Sequence, residues 1–416
     1  MTPAHGELRR SLRLGDAVVI GLGSMIGAGI FVALAPAARA AGSGLLLGLA
    51  LAAVVAYCNA TSSARLAARY PVSGGTYVYG RERLGEFWGC LAGWCFVIGK
   101  TASCAAMAST VGVYAWPEQA RAVAVAVVIA ATAVNYRGMQ KSAIVTRWVV
   151  AIVLGVLAMV VCVAITSNHV DVDNFHIDSG TTVFGVLQAA GLLFFAFAGY
   201  ARIATLGEEV RDPTRTIPRA ISLALGGTLA VYTLVVVAAL AVLGPQQLAD
   251  ASAPLSAVVE AAGAGWLAPI VRVAAVVGAF GALLALILGV SRTALAMARD
   301  RHLPAALAAV HPRFGVPHRA EIAVGLVVAI GAATVDLRSV IGFSSFGVLL
   351  YYAIANASAW TLTAEEGRSH RLVPVFGLLG CLVLAFTLPQ GSVIGGAAVA
   401  AAGAVVYAVR SPRRPN

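Results

Sequence analysis

The chain has 416 residues, of which 60% are hydrophobic and 11% are charged. A soluble domain of this size would carry about 25% charged residues, so the composition excludes a soluble globular protein and predicts an all-α integral membrane protein. The net charge of +11 does not indicate a nucleic-acid-binding protein, because the basic residues lie in alternate loops between apolar runs, which is a signal of membrane topology.

About twelve apolar runs are candidates for membrane-spanning helices, each of which needs about 20 residues. In chain order, the predicted spans are 14–40, 43–64, 86–115, 119–136, 144–166, 182–207, 217–243, 266–296, 321–336, 339–362, 372–388 and 391–409. The third and eighth spans are long enough to be strongly tilted, and the ninth and eleventh are short. A long glycine-broken run follows the basic N-terminal stretch, so we expect no signal peptide.

The distribution of charge predicts the orientation of the chain. When the spans are threaded alternately, most of the 29 Lys and Arg residues fall on the side of the N terminus, and the loop 167–180 on the other side is acidic. Because cytoplasmic loops carry the excess of basic residues, we expect cytoplasmic tails at 1–13 and 410–416. The protein is then a multi-pass protein of the cell (inner) membrane.

Two spans contain sequences that are poor for a continuous helix. The first contains GLGSMIGAGIF at 21–31, in which each of four glycines costs roughly 1 kcal/mol relative to alanine, and the sixth contains FAFAGYAR at 195–202. Interrupted spans that lie five apart run in opposite directions, which is typical of an inverted repeat with a substrate site near the midplane. We therefore predict repeats at 14–166 and 182–362, followed by two further spans at 372–409.

The interruptions predict where a ligand binds, because irregular backbone at membrane depth is tolerated only where it lines a cavity or is buried in protein. Amide groups freed at the start of the second half of span one suit a carboxylate. Carbonyl groups freed near 197–200 suit an ammonium group. The alternative is that Gly23 and Gly27 form a small-xxx-small pair that only packs helices together.

Four local patterns carry a family resemblance. They are GLGSMIGAGIF at 21–31, YPVSGGTYVYGRERLG at 70–85, IATLGEEVRDPTRTIP at 203–218 and SRTALAMARDRHLP at 291–304. Together they resemble the amino acid–polyamine–organocation superfamily, and within it bacterial relatives of the cationic amino acid transporters.

This resemblance implies twelve spans with a five-plus-five inverted repeat and secondary transport of amino acids by alternating access. It implies that six residues of span one meet the substrate carboxylate, namely Ser24, Met25, Ile26, Gly27, Ala28 and Gly29. It also implies that four residues of span six surround the amino group and side chain, namely Phe197, Ala198, Gly199 and Tyr200.

The sequence departs from the family pattern at three places. The acidic residue that often follows the break in span six is absent, and Ala201 and Arg202 follow Tyr200 instead. The span-five lysine that the family links to proton coupling is replaced by Val153, which leaves the coupling mechanism open. Span three reads GKTASCAAMAS, where relatives often have an acidic residue and a tyrosine.

Charged residues inside the predicted spans are candidates for coupling or gating. Lys100 lies about 21 Å from either interface, so it must be paired, hydrated or neutral. It either replaces the missing lysine as an ion-site cation or proton carrier, or is held by backbone carbonyls of an unwound helix. Arg202 either forms a gate or structural pair with Glu208 or Glu209, or contacts an anionic group of the substrate. A pair with Glu209 would span two turns of one helix face if the second half of span six is regular.

The function predicted from these observations is secondary active amino acid transport, and the chain is not expected to be an enzyme. The histidines lie in tails or loops and the cysteines in apolar runs, so we expect no cofactor and no metal site. Residues 273–290 of span eight contain no hydroxyl group, which favours a proton symporter or an antiporter over sodium coupling.

Lys100 and Arg202 favour a neutral or small amino acid over arginine or lysine. The expected partners are this small-molecule substrate and the lipid bilayer, with no nucleic acid. The alternatives are a non-transporting amino acid sensor on the same fold and a polyamine or organocation transporter.

Overall fold

The computed structural model describes residues 12–27, 29–71, 74–138, 143–178, 180–204, 209–367 and 369–410. Within these ranges the chain is α-helical, and its only β pairing is a single bridge between Leu12 and Val210. The predicted all-α fold is therefore confirmed.

Seventeen α-helices follow one another along the described chain. They are α1 (Leu14–Met25), α2 (Gly29–Val32), α3 (Leu34–Ala41), α4 (Leu45–Arg69), α5 (Thr76–Leu84), α6 (Glu86–Ala115), α7 (Ala120–Tyr136), α8 (Ala143–Thr166), α9 (Val183–Phe197), α10 (Ala201–Ala204), α11 (Pro213–Asp250), α12 (Pro254–Ala261), α13 (Ala268–Arg299), α14 (His318–Thr334), α15 (Leu337–Trp360), α16 (Leu372–Phe386) and α17 (Gln390–Arg410).

Most predicted spans correspond to one of these helices. Span one is α1 to α3, span six is α9 and α10, and the others are α4, α6, α7, α8, α11, α13, α14, α15, α16 and α17. Ten segments of the described chain are at least 18 residues long and apolar enough to cross a membrane, whereas α16 is shorter and α14 has 17 residues. The count of twelve spans therefore stays a prediction.

Spans one and six are both interrupted at the predicted places. Helix α1 ends at Met25 and α2 begins at Gly29, and the helical backbone of Ala33 (φ −76°, ψ −18°) joins α2 to α3. In span six, α9 ends at Phe197 and a 3₁₀ turn at Ala198–Tyr200 leads into α10.

Glycines let the two interrupted spans approach each other closely. A Cβ atom at Gly199 would lie 2.4 Å from the carbonyl carbon and oxygen of Ser24, and one at Gly29 would lie 2.5 Å from the Cα of Ala196. Any side chain would force these backbones apart, so only glycine fits at these two contacts. The glycines thus allow the breaks to meet as well as the helices to unwind.

The start of span one is also tied to the end of span six. The Leu12 N–H donates to the Glu209 carbonyl at 3.1 Å, and the Arg211 N–H donates to the Leu12 carbonyl at 2.9 Å. This bridge lies on the side of the N terminus, where most Lys and Arg residues are predicted to fall, so we call this end of the helix bundle the basic end. The first half of span one and the segment after span six are therefore joined there.

The second and fourth family patterns meet at the same end. The Tyr77 hydroxyl donates to Asp300 and lies 3.0 Å from the Nδ1 of His302, and Arg81 donates to Asp300 at 3.0 Å. These bonds fasten α5, in the loop between spans two and three, to the end of α13.

Candidate substrate site

Two cavities lie beside the breaks and run toward the basic end. Both are lined by the same six residues, Ser24, Arg202, Glu209, Ala282, Ala285 and Arg292. We treat them as two lobes of one vestibule. Lobe A continues between α1, α8 and α13, and lobe B continues between α6, the break in span six and α13.

The predicted substrate-contact residues divide into two groups. Five of them line the vestibule, namely Ser24 in both lobes, Ile26 and Gly27 in lobe A, and Ala198 and Gly199 in lobe B. Four others belong to the packing around the breaks, namely Met25, Gly29, Phe197 and Tyr200. Ala28 lies outside the described residues.

A tyrosine of α11 joins the two breaks. The Tyr232 hydroxyl lies 2.6 Å from the Met25 carbonyl oxygen and 3.1 Å from that of Ala196. The ring of Phe197 packs edge-on against the Tyr232 ring at 5.1 Å. One fully buried hydroxyl therefore lies between a carbonyl of each interrupted span and links the two breaks. Tyr232 could not be predicted as a site residue, because it lies within an ordinary apolar span.

Lys100 reaches the break in span six. It lies at the centre of α6 with 5% of its surface exposed, and its ammonium group donates to the Ala198 carbonyl at 3.0 Å. The Tyr352 hydroxyl lies 3.5 Å from the same oxygen. Lys100 also lines lobe B together with Ser103 and Met107. The lysine therefore contacts a carbonyl in the group predicted to receive an ammonium.

A buried polar cluster lies behind Tyr352. Asn356 donates to the Tyr352 carbonyl at 2.9 Å and to the Oδ1 of Asn59 at 2.6 Å, and Ser62 donates to Asn356 at 2.7 Å. The Tyr200 ring packs on the Tyr352 ring at 5.0 Å. These hydrogen bonds hold α15 against α4 beside the break.

Arg202 and Glu209 both line the vestibule, but they do not share a helix. Arg202 lies in α10 and Glu209 lies in a turn, so the described residues do not place the two side chains on one regular helix. The Glu209 carboxylate and the Arg292 guanidinium both act electrostatically on Arg202. Glu208 lies outside the described residues.

The vestibule carries more positive than negative side chains. Its charged lining, among the described residues, consists of Lys100, Arg202 and Arg292 on the positive side and Glu209 on the negative side. The shared wall therefore favours anionic groups over cationic ones.

Position 153, where the family pattern has a lysine, lies next to the break in span one. Val153 lines lobe A, and a Cβ built at Gly278 would lie 3.2 Å from its Cγ2 and 3.0 Å from the Gly27 carbonyl. Spans one, five and eight thus meet at this point, with no charge at position 153.

The glycines of span one also pack against neighbouring helices. A Cβ at Gly23 would lie 3.0 Å from Val150 of α8, and one at Gly27 would lie 2.6 Å from the Cβ of Ala282 of α13. The two glycines therefore face different helices rather than forming one small-xxx-small pair with a single partner.

Beyond the break in span one, on the side away from the basic end, two aromatic side chains pack together. The Tyr114 hydroxyl donates to the Phe31 carbonyl at 2.9 Å, and the two rings pack edge-on at 5.8 Å. Both side chains are fully buried, and we call their contact the Tyr114–Phe31 plug.

Comparison with known proteins identifies the family. The model of the family described as amino acid permease matches residues 12–409. The chain belongs to the amino acid permease family. The family resemblance noted from the four patterns is therefore confirmed, and the molecule is a multi-pass membrane transporter with a small-molecule substrate.

Three relatives illustrate the similarity. The chain is 72% identical to an uncharacterised transporter of Mycobacterium tuberculosis (strain ATCC 25618 / H37Rv), over 97% of this chain and 92% of the relative. It is 27% identical to the branched-chain amino acid permease BcaP of Bacillus subtilis (strain 168), over 93% and 90%. It is 29% identical to cationic amino acid transporter 7, chloroplastic, of Arabidopsis thaliana, over 84% and 65%.

Proposed function

We propose that this permease carries a neutral α-amino acid by alternating access, with the substrate bound where the two interrupted spans meet. The observation that carries the proposal is that peptide groups from both breaks, at Gly27 and at Ala198–Gly199, line one vestibule. Amides at the start of a half-helix suit the carboxylate, and free carbonyls suit the amine. This is the arrangement expected of an inverted-repeat transporter.

The orientation follows from the charge distribution. We place the basic end and both termini in the cytoplasm of the cell, since basic loops favour that side. The open vestibule then faces the cytoplasm, and the Tyr114–Phe31 plug closes the outer path. In this proposal, residues 14–166 and 182–362 are the inverted repeats and 372–409 are the two added spans.

The charge of the vestibule supports a neutral substrate. A cationic side chain would meet Lys100, Arg202 and Arg292 with Glu209 as the only described counter-charge in the lining. Similarity to the branched-chain amino acid permease BcaP favours a neutral amino acid, whereas similarity to the Arabidopsis cationic amino acid transporter favours a cationic one. We give more weight to the vestibule, because it belongs to this chain.

A thermal-shift panel of the twenty amino acids and the common polyamines tests the substrate class. Binding to the native state raises the unfolding temperature, so we expect neutral amino acids such as leucine or alanine to stabilise the purified protein. Stabilisation by arginine, lysine or polyamines alone would contradict the proposal and favour a polyamine or organocation transporter. Ligand binding without any transport in liposomes would favour the sensor.

Lys100 is the proposed coupling cation. The hydrogen bond from Lys100 to the Ala198 carbonyl supports the interpretation that this lysine is a fixed positive charge that holds the break in span six. The expected modes of transport are exchange or proton-coupled transport. The absence of hydroxyl groups from residues 273–290 argues against a sodium site there.

Substitution of this lysine separates the possible roles. If Lys100 is a fixed charge, Lys100→Ala should abolish both uptake and exchange in liposomes. If it carries the proton instead, the variant should lose pH-dependent accumulation but keep exchange. Thr110→Ala, which removes a buried hydroxyl of α6 away from the vestibule, is the control. Survival of uptake, exchange and pH response in Lys100→Ala would show that the lysine has no part in coupling.

A further inference from the structure

The first turn of α14 contains a buried acid that the proposed transport site does not use. Glu321 is 0% exposed, and neither of its carboxylate oxygens accepts a hydrogen bond from any described residue. A carboxyl group in such surroundings is stable only as the neutral acid or beside a cation. Glu321 therefore needs either a proton or a charged partner.

The elements that pack against α14 offer one partner. These elements are α6, α7, α13 and the 3₁₀ turn at Ala305–Ala308. Their charged and titratable side chains, with those of α14 itself, are Glu86, Cys90, Cys95, Lys100, Cys104 and Tyr114 on α6, Arg121 and Tyr136 on α7, Arg272, Arg292 and Arg299 on α13, and His318 and Arg319 on α14. Of these, Arg292 is the one whose charge acts on Glu321.

Arg292 lies on α13, which packs against the helix that carries the acid. It lines both lobes and is an exposed side chain in this conformation. It forms no ion pair with Glu321 within the described chain, where the ion pairs join other residues. The guanidinium thus borders the space where a substrate would lie, while the Glu321 carboxylate is left without a donor among the described residues.

On the basis of the proposed function, we propose that Glu321 is the proton-binding residue of the transport cycle and that Arg292 links it to the substrate. When the carboxyl binds a proton, an O–H bond forms and the ion pair with Arg292 breaks. The released guanidinium then binds the substrate carboxylate in the vestibule. When the proton leaves, the carboxylate recaptures Arg292 and the substrate loses that contact. Proton and substrate therefore bind cooperatively, and each must strengthen the binding of the other.

The test measures substrate affinity and proton uptake on the full-length protein. The probe is whichever of the twenty amino acids stabilises the wild type most in the thermal-shift panel. We expect its affinity for the wild type to fall at least about fivefold as the pH rises from about 5.5 to about 8. Calorimetry in buffers of different ionisation enthalpy should show protons taken up as the probe binds.

Glu321→Gln imitates the protonated acid, so its affinity should stay at the low-pH value of the wild type and proton uptake should vanish. Arg292→Gln removes the proposed contact, so its affinity should be weak at every pH. Glu260→Gln, on an exposed acid of α12, is the matched control and should behave as the wild type.

Two outcomes contradict the inference in different ways. If Glu321→Gln binds the probe but keeps the pH dependence and proton uptake of the wild type, the proton binds elsewhere and the proposed function stands. If no amino acid binds the wild type, the proposed function fails and this inference fails with it. Should Glu321→Gln not fold, Arg292→Gln decides alone, since wild-type affinity and pH dependence in that variant would rule out the link.

Discussion

Gly199 sets the distance between the two interrupted spans at the scale of a single residue. Its missing side chain lets the sixth span lie against the backbone of Ser24 and Met25. Backbone atoms held inside two packed spans cannot move aside as a flexible side chain would. The same contact brings the peptide groups of both breaks into one vestibule, so both the packing of the two spans and the proposed substrate site depend on the absence of a side chain at Gly199.

Replacement of this glycine should damage the site. In Gly199→Ala, the new methyl group would lie 2.4 Å from the Ser24 carbonyl, and overpacking of this kind typically costs 1–3 kcal/mol. We expect a lower unfolding temperature and loss of amino acid binding in the thermal-shift assay. Gly155→Ala, at a position with nothing within 4 Å, is the control and should keep wild-type binding. Unchanged ligand affinity in Gly199→Ala would place the site elsewhere.

The connections between helices are held by charged clusters at the scale of elements. Glu366, in the loop after α15, accepts hydrogen bonds from Arg83 at the end of α5 and from Arg69 at the end of α4. The Thr363 N–H donates to the same carboxylate at 3.0 Å. Three separate segments of the basic end are thus gathered around one acid.

We call the contacts of Glu366 with Arg83, Arg69 and Thr363 the clamp, and we expect them to make the stability of the fold depend on pH. The hydrogen bond from Arg83, then those from Thr363 and Arg69, lower the pKa of Glu366 from 4.5 to about 2. Because the folded pKa is depressed, the clamp stabilises the fold fully above about pH 4.5 and less as the pH falls toward 2.

We expect the unfolding temperature of the wild type to fall more steeply over this window than that of Glu366→Gln. Exposed Glu365 provides the control Glu365→Gln, which should follow the wild type. Parallel curves for the wild type and Glu366→Gln would rule out the clamp.

The spans and their breaks could be predicted from the sequence, whereas the short helices between them could not, and both results have physical reasons. A bilayer imposes a minimum apolar length on each span, so the positions of the spans could be predicted closely. For example, Gly244 (φ 67°) ends the regular part of α11, next to the predicted limit of residue 243. Clustered glycines indicated the break in span one, and Gly199 followed by Arg202 indicated the break in span six. The short helices α5 and α12 could not be predicted from hydropathy, because they pack between spans rather than cross the membrane.

The long-range side-chain contacts at the candidate site could not be predicted from the sequence. Tyr232 meets Met25 across 207 residues and Lys100 meets Ala198 across 98, and no local pattern encodes such contacts. Glu321 was missed because it stands at the first residue of the predicted ninth span, where an acid suggests the interface with water. Only the packing of α14 against α7 and α13 shows that it is buried.

At the scale of the whole molecule, the vestibule lies between the breaks and the basic end. The bridge between Leu12 and Val210 joins the first half of span one to the segment after span six, so we expect them to move together in the proposed transport cycle. In that cycle, the Tyr114–Phe31 plug opens as the vestibule closes and admits substrate from the other side. The proposed alternating access thus requires the two halves of each interrupted span to move separately.

Counterflow in proteoliposomes loaded with unlabelled amino acid tests both the proposed substrate class and the proposed site. We expect internal leucine to drive uptake of labelled leucine by the wild type and by Gly155→Ala but not by Gly199→Ala, and we expect internal arginine to drive no uptake of labelled arginine. Counterflow of arginine or a polyamine without that of any neutral amino acid would contradict the substrate class. Wild-type leucine counterflow in Gly199→Ala would contradict a site at the meeting point of the two interrupted spans.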